Sequence, residues 1–206
     1  MRTTVRLMVG VLVLALNGEF ARAEQAKSAQ PAMDPAKQAA MEAMQRLGSP
    51  SEGHKALEPL TGAWTYTAQW WMSPEAPPES MTGTATNSLI FGGRFLKQDI
   101  RGEAEGQPSF EGIGFIGYDN LRKEYQSVWF DNMATGMMMG TGRFDASTKT
   151  LTDAGKFSCP LTMETHRQFR SAWTVVDPTH NTYESYMRTP EGREFKAMEI
   201  YYSRAE

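Results

Sequence analysis

The chain has 206 residues, a formal charge of −3 at neutral pH and one cysteine, Cys159. That length suits a single domain with an adequate core of its own. The mild acidity argues against nucleic acid or an anionic membrane as the main partner, and a single thiol excludes any intrachain disulfide.

The N-terminus reads as an export signal. Arg2 and Arg6 precede an apolar run at 7–16 broken only by Gly10, and Ala21-Arg22-Ala23 sets small residues at the two positions a signal peptidase reads. The run is too short for a stable anchor, which needs about 20 residues, and no Cys follows it to carry a lipid. Residues 1–23 are therefore expected to be removed, leaving a periplasmic or secreted protein that starts at Glu24 and has no transmembrane anchor. Removal takes out three Arg and one Glu, moving the formal charge from −3 to −5.

Residues 24–53 form a leader and a helix. The stretch 24–33 is rich in Ala, Gln and Ser, and Asp34-Pro35 supplies an N-cap followed by a proline at the first helical position. Strong helix formers run from Ala36 to Leu47, and Gly48 with Pro50 stops them. Met33, Met41, Met44 and Leu47 offer an apolar stripe. Ser51 opens a shorter helical turn that reaches about Leu57 and ends at Pro59.

From Trp64 the period changes to two. Trp64, Tyr66, Ala68 and Trp70 alternate with Thr65, Thr67 and Gln69, the pattern of a strand with two different faces. Three prolines between 73 and 78 make a loop, and further runs follow at 81–90, 95–102, 110–118, 124–130, 139–144, 150–157, 165–176, 182–188 and 195–203. Gly92-Gly93, Gly106-Gln107-Pro108, Asp119-Asn120, the segment around Asn132, 145–148, Asp177-Pro178-Thr179-His180 and Pro190-Glu191-Gly192 separate them. About ten strands with short links predict an all-β antiparallel up-and-down barrel over 54–206, with a helix ahead of it. Closure removes the edge strands an open sheet would have to protect.

Gly62-Ala63-Trp64 resembles the opening signature of the calycin barrels, the group of lipocalins, fatty-acid-binding proteins and avidins. The resemblance implies that Trp64 packs across the closed end with an arginine of the last strand over its indole, a contact a planar guanidinium makes well. Arg204, in Tyr201-Tyr202-Ser203-Arg204, stands where that partner is expected. A second resemblance runs from about His54 to the end. It is carried by His54-Lys55-Ala56-Leu57, Leu60-Thr61-Gly62-Ala63-Trp64, Gly92-Gly93-Arg94-Phe95-Leu96, Phe110-Glu111-Gly112, Gly117-Tyr118-Asp119 and Trp129-Phe130-Asp131. These are similar to a bacterial family known as domain of unknown function fifteen seventy-nine, which implies a lipocalin-like barrel and leaves activity open.

The chemical motifs are few. Gly112-Ile113-Gly114-Phe115-Ile116-Gly117 fits G-x-G-x-x-G, but a turn and another strand follow where a dinucleotide site needs a helix. The two glycines at 112 and 114 share one strand face and permit curvature or the close approach of another group. Met133, Met137, Met138 and Met139 are soft donors suited to Cu(I), with Cys159 and Met163 nearby in sequence; the plainer reading is a flexible apolar lining. Of the histidines, His54 precedes the barrel, His180 lies in a turn, and His166 sits on a long strand. The related nitrobindin-like calycins bind haem through a histidine inside such a barrel, but no motif maps that ligand onto this chain. No catalytic constellation of the G-x-S-x-G or H-E-x-x-H kind is present, and no cofactor or metal is assigned.

These observations favour a protein that holds a small, largely apolar molecule inside the barrel; a structural module with a solid core is the alternative, and a haem or copper barrel a further one. Phe110, Trp129, Met139 and Trp173 are the candidate wall residues, chosen for large apolar surface on alternating runs. Arg94, beside the Gly92-Gly93 turn, is the candidate polar group at the mouth, able to meet a carboxylate bidentately. Asp99, Glu111 and Asp131 are charged residues on or beside strands that could also reach a cavity.

Overall fold

The computed structural model describes residues 33–103, 106 and 108–206. The expected export signal at 1–23 and the leader up to residue 32 lie outside the described residues. Two compact units divide the chain, one ending at Arg46 and the other running from Leu47 to Glu206. In the first, helix α1 (Pro35–Leu47) starts where the sequence sets its stop and start chemistry: Asp34 Oδ1 accepts the Ala36 N–H at 2.8 Å, and Pro35 at the first position has no N–H to satisfy.

The second unit is a closed antiparallel barrel of ten strands. They are β1 (Gly62–Trp70), β2 (Glu79–Ile90), β3 (Phe95–Glu103), β4 (Phe110–Asp119), β5 (Glu124–Asp131), β6 (Met138–Asp145), β7 (Thr150–Cys159), β8 (Glu164–Asp177), β9 (His180–Arg188) and β10 (Glu194–Arg204). Each strand pairs with its sequence neighbours, and β1 pairs with β10, Trp64 opposite Arg204 and Trp70 opposite Met198. Short turns leave antiparallel neighbours as the only accessible partners, so the meander follows from turn length. His180, read from sequence as part of a turn, opens β9 instead.

Antiparallel order puts the starts of odd strands and the ends of even strands at one end. There a short helix α2 (Glu52–Lys55) and a 3-10 turn (Glu58–Leu60) fill the opening. Pro59 sits inside that 3-10 turn rather than ending a helix before it, because a proline at its second position gives up no needed hydrogen bond. Leu57, Leu60, Trp64 and Leu96 are at most 2 % exposed here. The β4–β5 turn fastens this plug: Asn120 Nδ2 donates to the carbonyls of Leu47 and Ser49, both at 2.8 Å, and its Oδ1 accepts from Ser51 Oγ at 2.6 Å. Tyr125 adds a hydrogen bond to the Gly53 carbonyl at 2.7 Å.

The opposite end carries the loops 71–78, 132–137, 160–163 and 189–193. Met72, Met133, Met137, Leu161 and Met163 stand on three of these loops and are all exposed.

Candidate functional site

The barrel interior falls into two halves of different character. At the Trp64 end the inward side chains Trp64, Leu96, Tyr125, Leu151, Trp173 and Tyr202 are buried and form one cluster. Trp173 stacks on Tyr202 with ring centres 5.9 Å apart, and its Nε1–H is taken by the buried Asn181. Towards the loop end the inward positions change: Phe110, Trp129, Met138, Phe157 and Met198 occupy the same strand phase yet are only half-buried.

Trp129 is the main feature of that accessible half. Its indole lies against β4 where Gly112 and Gly114 have no side chain; a Cβ at Gly112 would stand 2.2 Å from the ring and one at Gly114 3.0 Å. This is the close approach that two glycines on one strand face permit. Phe110 stacks on the indole, ring centres 6.3 Å apart and planes 15° from parallel. Asp131 accepts the indole N–H at 2.8 Å, which satisfies the ring's one polar atom.

Deeper lies a polar stripe. Asp153 on β7 points inward, its Oδ2 accepting from Ser127 Oγ on β5 and its Oδ1 from Ser171 Oγ on β8. Ser171 is paired in register with Asp153 on one side and Ser185 on the other. Burial, with Asp153 beside it, pushes the Tyr183 phenol up to about 12, against an opposing effect of the Ser171 and Ser185 side chains. Gly140 makes room for this group: a Cβ there would lie 2.8 Å from Asp153 Oδ2. Asp153 escaped the sequence reading, although a signal was present. Leu151, Asp153, Gly155 and Phe157 share one strand phase, and a carboxylate between two apolar residues of that phase faces inward.

At the rim, Arg167 and Cys159 are buried, and Arg167 donates to Cys159 Sγ at 3.2 Å. Burial alone would raise the thiol, but hydrogen bonds from Thr162, Arg167 and Leu161 hold it below its ordinary value. Outside the barrel, a concavity of about 840 Å³ over β1–β4 is lined by Thr65, Thr67, Thr82, Thr84 and the Arg101–Glu111 ion pair. It is open to solvent and gathers no convergent reactive groups.

Three of the wall and mouth assignments change. Met139 is 58 % exposed and points outward, because β6 turns its glycines Gly140 and Gly142 to the interior. Trp173 belongs to the packed half, not to the accessible wall. Arg94 is not at the mouth. Its turn follows β2, which runs towards the Trp64 end, and there its Nε and Nη1 donate to the carbonyls of Gly48 at 2.7 Å and Phe91 at 2.8 Å. Phe110 and Trp129 do lie together on the inner wall. At the plugged end the Arg204 guanidinium carbon lies 4.3 Å from the centre of the Trp64 ring. Asp99 and Glu111 face outward in ion pairs with Lys97 and Arg101.

The thioethers Met133, Met137 and Met139 are exposed, whereas Cys159 is buried. None of the histidines offers an imidazole to the interior: His54 is held in the plug, its Nδ1 accepting the Ser51 N–H at 3.0 Å, while His166 and His180 are exposed. Among the described residues no three His, Cys, Asp or Glu side chains converge as a metal site, and no helix is long and apolar enough to cross a membrane.

The family described as "Protein of unknown function (DUF1579)" matches residues 49–204, the plug and the whole barrel. The chain belongs to this family. No curated protein is significantly similar to it. Among solved structures, Rv2717c from M. tuberculosis is similar over 77 % of this chain and 100 % of its own, with 15 % identity and a TM-score of 0.56. The S-type phycobiliprotein lyase CPES from Guillardia theta is similar over 79 % of this chain and 97 % of its own, with 9 % identity and a TM-score of 0.53. At such identities the likeness is one of fold.

Proposed function

We propose that this barrel binds a small, largely apolar molecule through its loop end, with Trp129 and Phe110 as the wall it packs against. The observation that carries the reading is the difference between the two halves. Inward aromatic and aliphatic side chains are shut at the Trp64 end, yet Phe110, Trp129, Met138 and Phe157 are only half-buried on the same strand phase. Apolar surface left open costs about 25 cal/mol per Å², and a bound molecule that covers it recovers that free energy. The exposed Met72, Met133, Met137, Leu161 and Met163 on the surrounding loops suit passage of an apolar guest, since thioethers adapt to irregular shapes. That a phycobiliprotein lyase has a barrel of this fold supports the reading at the level of architecture alone.

Tryptophan fluorescence during titration with fatty acids, retinoid-like molecules, haem and uncharged aromatic compounds tests the proposal. Saturable binding is expected for at least one class. Trp129→Ala should weaken it about tenfold, while costing less stability than the about 3–5 kcal/mol of a filled core. No saturable binding, together with a full core-sized loss in Trp129→Ala, would instead favour a structural barrel.

We propose further that the protein works after export, with residues 1–23 removed. N-terminal sequencing of periplasmic or secreted material should begin at Glu24, and an intact Met1 in that fraction would refute this.

A further inference from the structure

We infer that the barrel selects guests bearing a protonated amine or a similar cationic hydrogen-bond donor, received by the carboxylate of Asp153. This rests on the reading of the interior as a binding site and names the chemistry of its occupant. Ser127 and Ser171 each donate one hydroxyl hydrogen to a different oxygen of Asp153, so the carboxylate is fixed in orientation and acts purely as an acceptor. Each oxygen keeps a further lone pair. Among the described residues no Lys, Arg or His forms an ion pair with Asp153.

The other inward charges are committed elsewhere. Asp131 holds the Trp129 indole, Arg167 is bound to Cys159 and Glu164, and Arg204 lies over Trp64. Ser127 and Ser171 orient the Asp153 carboxylate but, being neutral, supply it no counter-charge. A cationic guest completes the site electrostatically. A carboxylic-acid guest would set a second anion against the first.

The geometry also orders the rest of the guest. Ser127 and Trp129 are two residues apart on one face of β5, so the indole lies about 7 Å nearer the loop end than the serine that holds Asp153. A cation seated at Asp153 therefore leads an apolar or aromatic body outward along Trp129 and Phe110. The absence of a side chain at Gly140 lets Asp153 and Ser127 pack close against β6, where a Cβ would approach Asp153 Oδ2 to 2.8 Å and Ser127 Oγ to 2.9 Å.

Three probes with one aromatic body separate the possibilities: 1-naphthylmethylamine, 1-naphthylmethanol and 1-naphthoate, titrated by calorimetry into the full chain and into Asp153→Asn. The amine should bind at least about tenfold tighter than the alcohol, with the acid weakest. In Asp153→Asn the amine should fall to within about twofold of the alcohol, whose affinity stays as in wild type. An alcohol or acid that equals the amine, or an amine preference that survives Asp153→Asn, overturns the inference while leaving the binding interior intact. Failure of all three probes and of every compound in the broader panel refutes the binding interior itself. If Asp153→Asn does not fold, Ser171→Ala serves: amine affinity should fall and alcohol affinity hold, and equal losses for both overturn the inference.

Discussion

Trp64 is 1 % exposed, donates its indole N–H to the Leu60 carbonyl at 3.1 Å and carries Arg204 on its face. Arg204 in turn donates to the carbonyls of Pro178 at 3.1 Å and Thr61 at 3.2 Å, joining the chain's last strand to its first. Trp64→Ala should therefore cost about 3–5 kcal/mol in urea unfolding, the range for a buried aromatic. Arg204→Lys should cost about 1 kcal/mol, because an ammonium keeps the charge but loses the planar stack and the fork of donors. Overlaying curves for both variants and wild type would remove this contact from the stability of the plugged end. His54 makes the same end sensitive to pH. Burial, and secondarily the charge of Arg94, hold its pKa below the ordinary 6.5. The unfolded chain then binds a proton that the folded one refuses. Stability is fully present above about pH 6.5, falls as pH drops below it, and levels off once the folded pKa is passed. The urea midpoint should decline between pH 7.5 and 5.5 in wild type and decline less in His54→Gln; identical slopes would contradict the assignment.

At the scale of elements, β4 and β5 act as one unit. Gly112 and Gly114 of β4 are buried not because the strand needs flexibility but because the Trp129 ring occupies the space their side chains would take. Gly112→Ala drives a methyl into that ring and should destabilise the barrel by about 1–3 kcal/mol, the usual cost of overpacking. It should also shift tryptophan emission and weaken guest binding, since the indole must leave its seat. An unchanged emission spectrum would mean that the ring does not lie on β4 in solution. Tyr66 shows the same device in β1. Its ring lies where a Cβ of Gly83 or Gly102 would stand, and burial pushes its phenol up to about 12. Two large rings over two pairs of glycines shape the interior more than any run of aliphatic residues does.

At the scale of the whole molecule, the seam between β1 and β10 decides whether the sheet has edges. It joins residues about as far apart in sequence as the barrel allows, Trp64 with Arg204, so closure is a late and non-local event. A chain ending at Ala197 loses most of β10 and leaves β1 and β9 with unpaired backbone along inward faces rich in aromatics. It should form oligomers or precipitate, as seen by size-exclusion chromatography, because open edges pair with other chains. A soluble monomer with native circular dichroism would show that the other nine strands close without it.

The sequence by itself determined the strand series, its order and the likeness to a lipocalin-type barrel. Two-residue alternation and turn residues are local properties, and short links admit one topology. It offered Phe110 and Trp129 as large apolar surface without fixing their phase, since Ile113 and Phe115 on β4 and Val128 and Phe130 on β5 make the outward phase apolar too. Where the alternation is weak, only the tertiary structure decided. On β6 the inner face is glycine, so the apolar Met139 points to solvent and misleads. Arg94 needed the direction of β2 before its end of the barrel was known, and its guanidinium then went to backbone carbonyls. Asp153, Ser127 and Ser171 come from β7, β5 and β8, and their meeting depends on register and barrel curvature. No spacing along the chain encodes such a cluster, because its members are neighbours only after the sheet has closed.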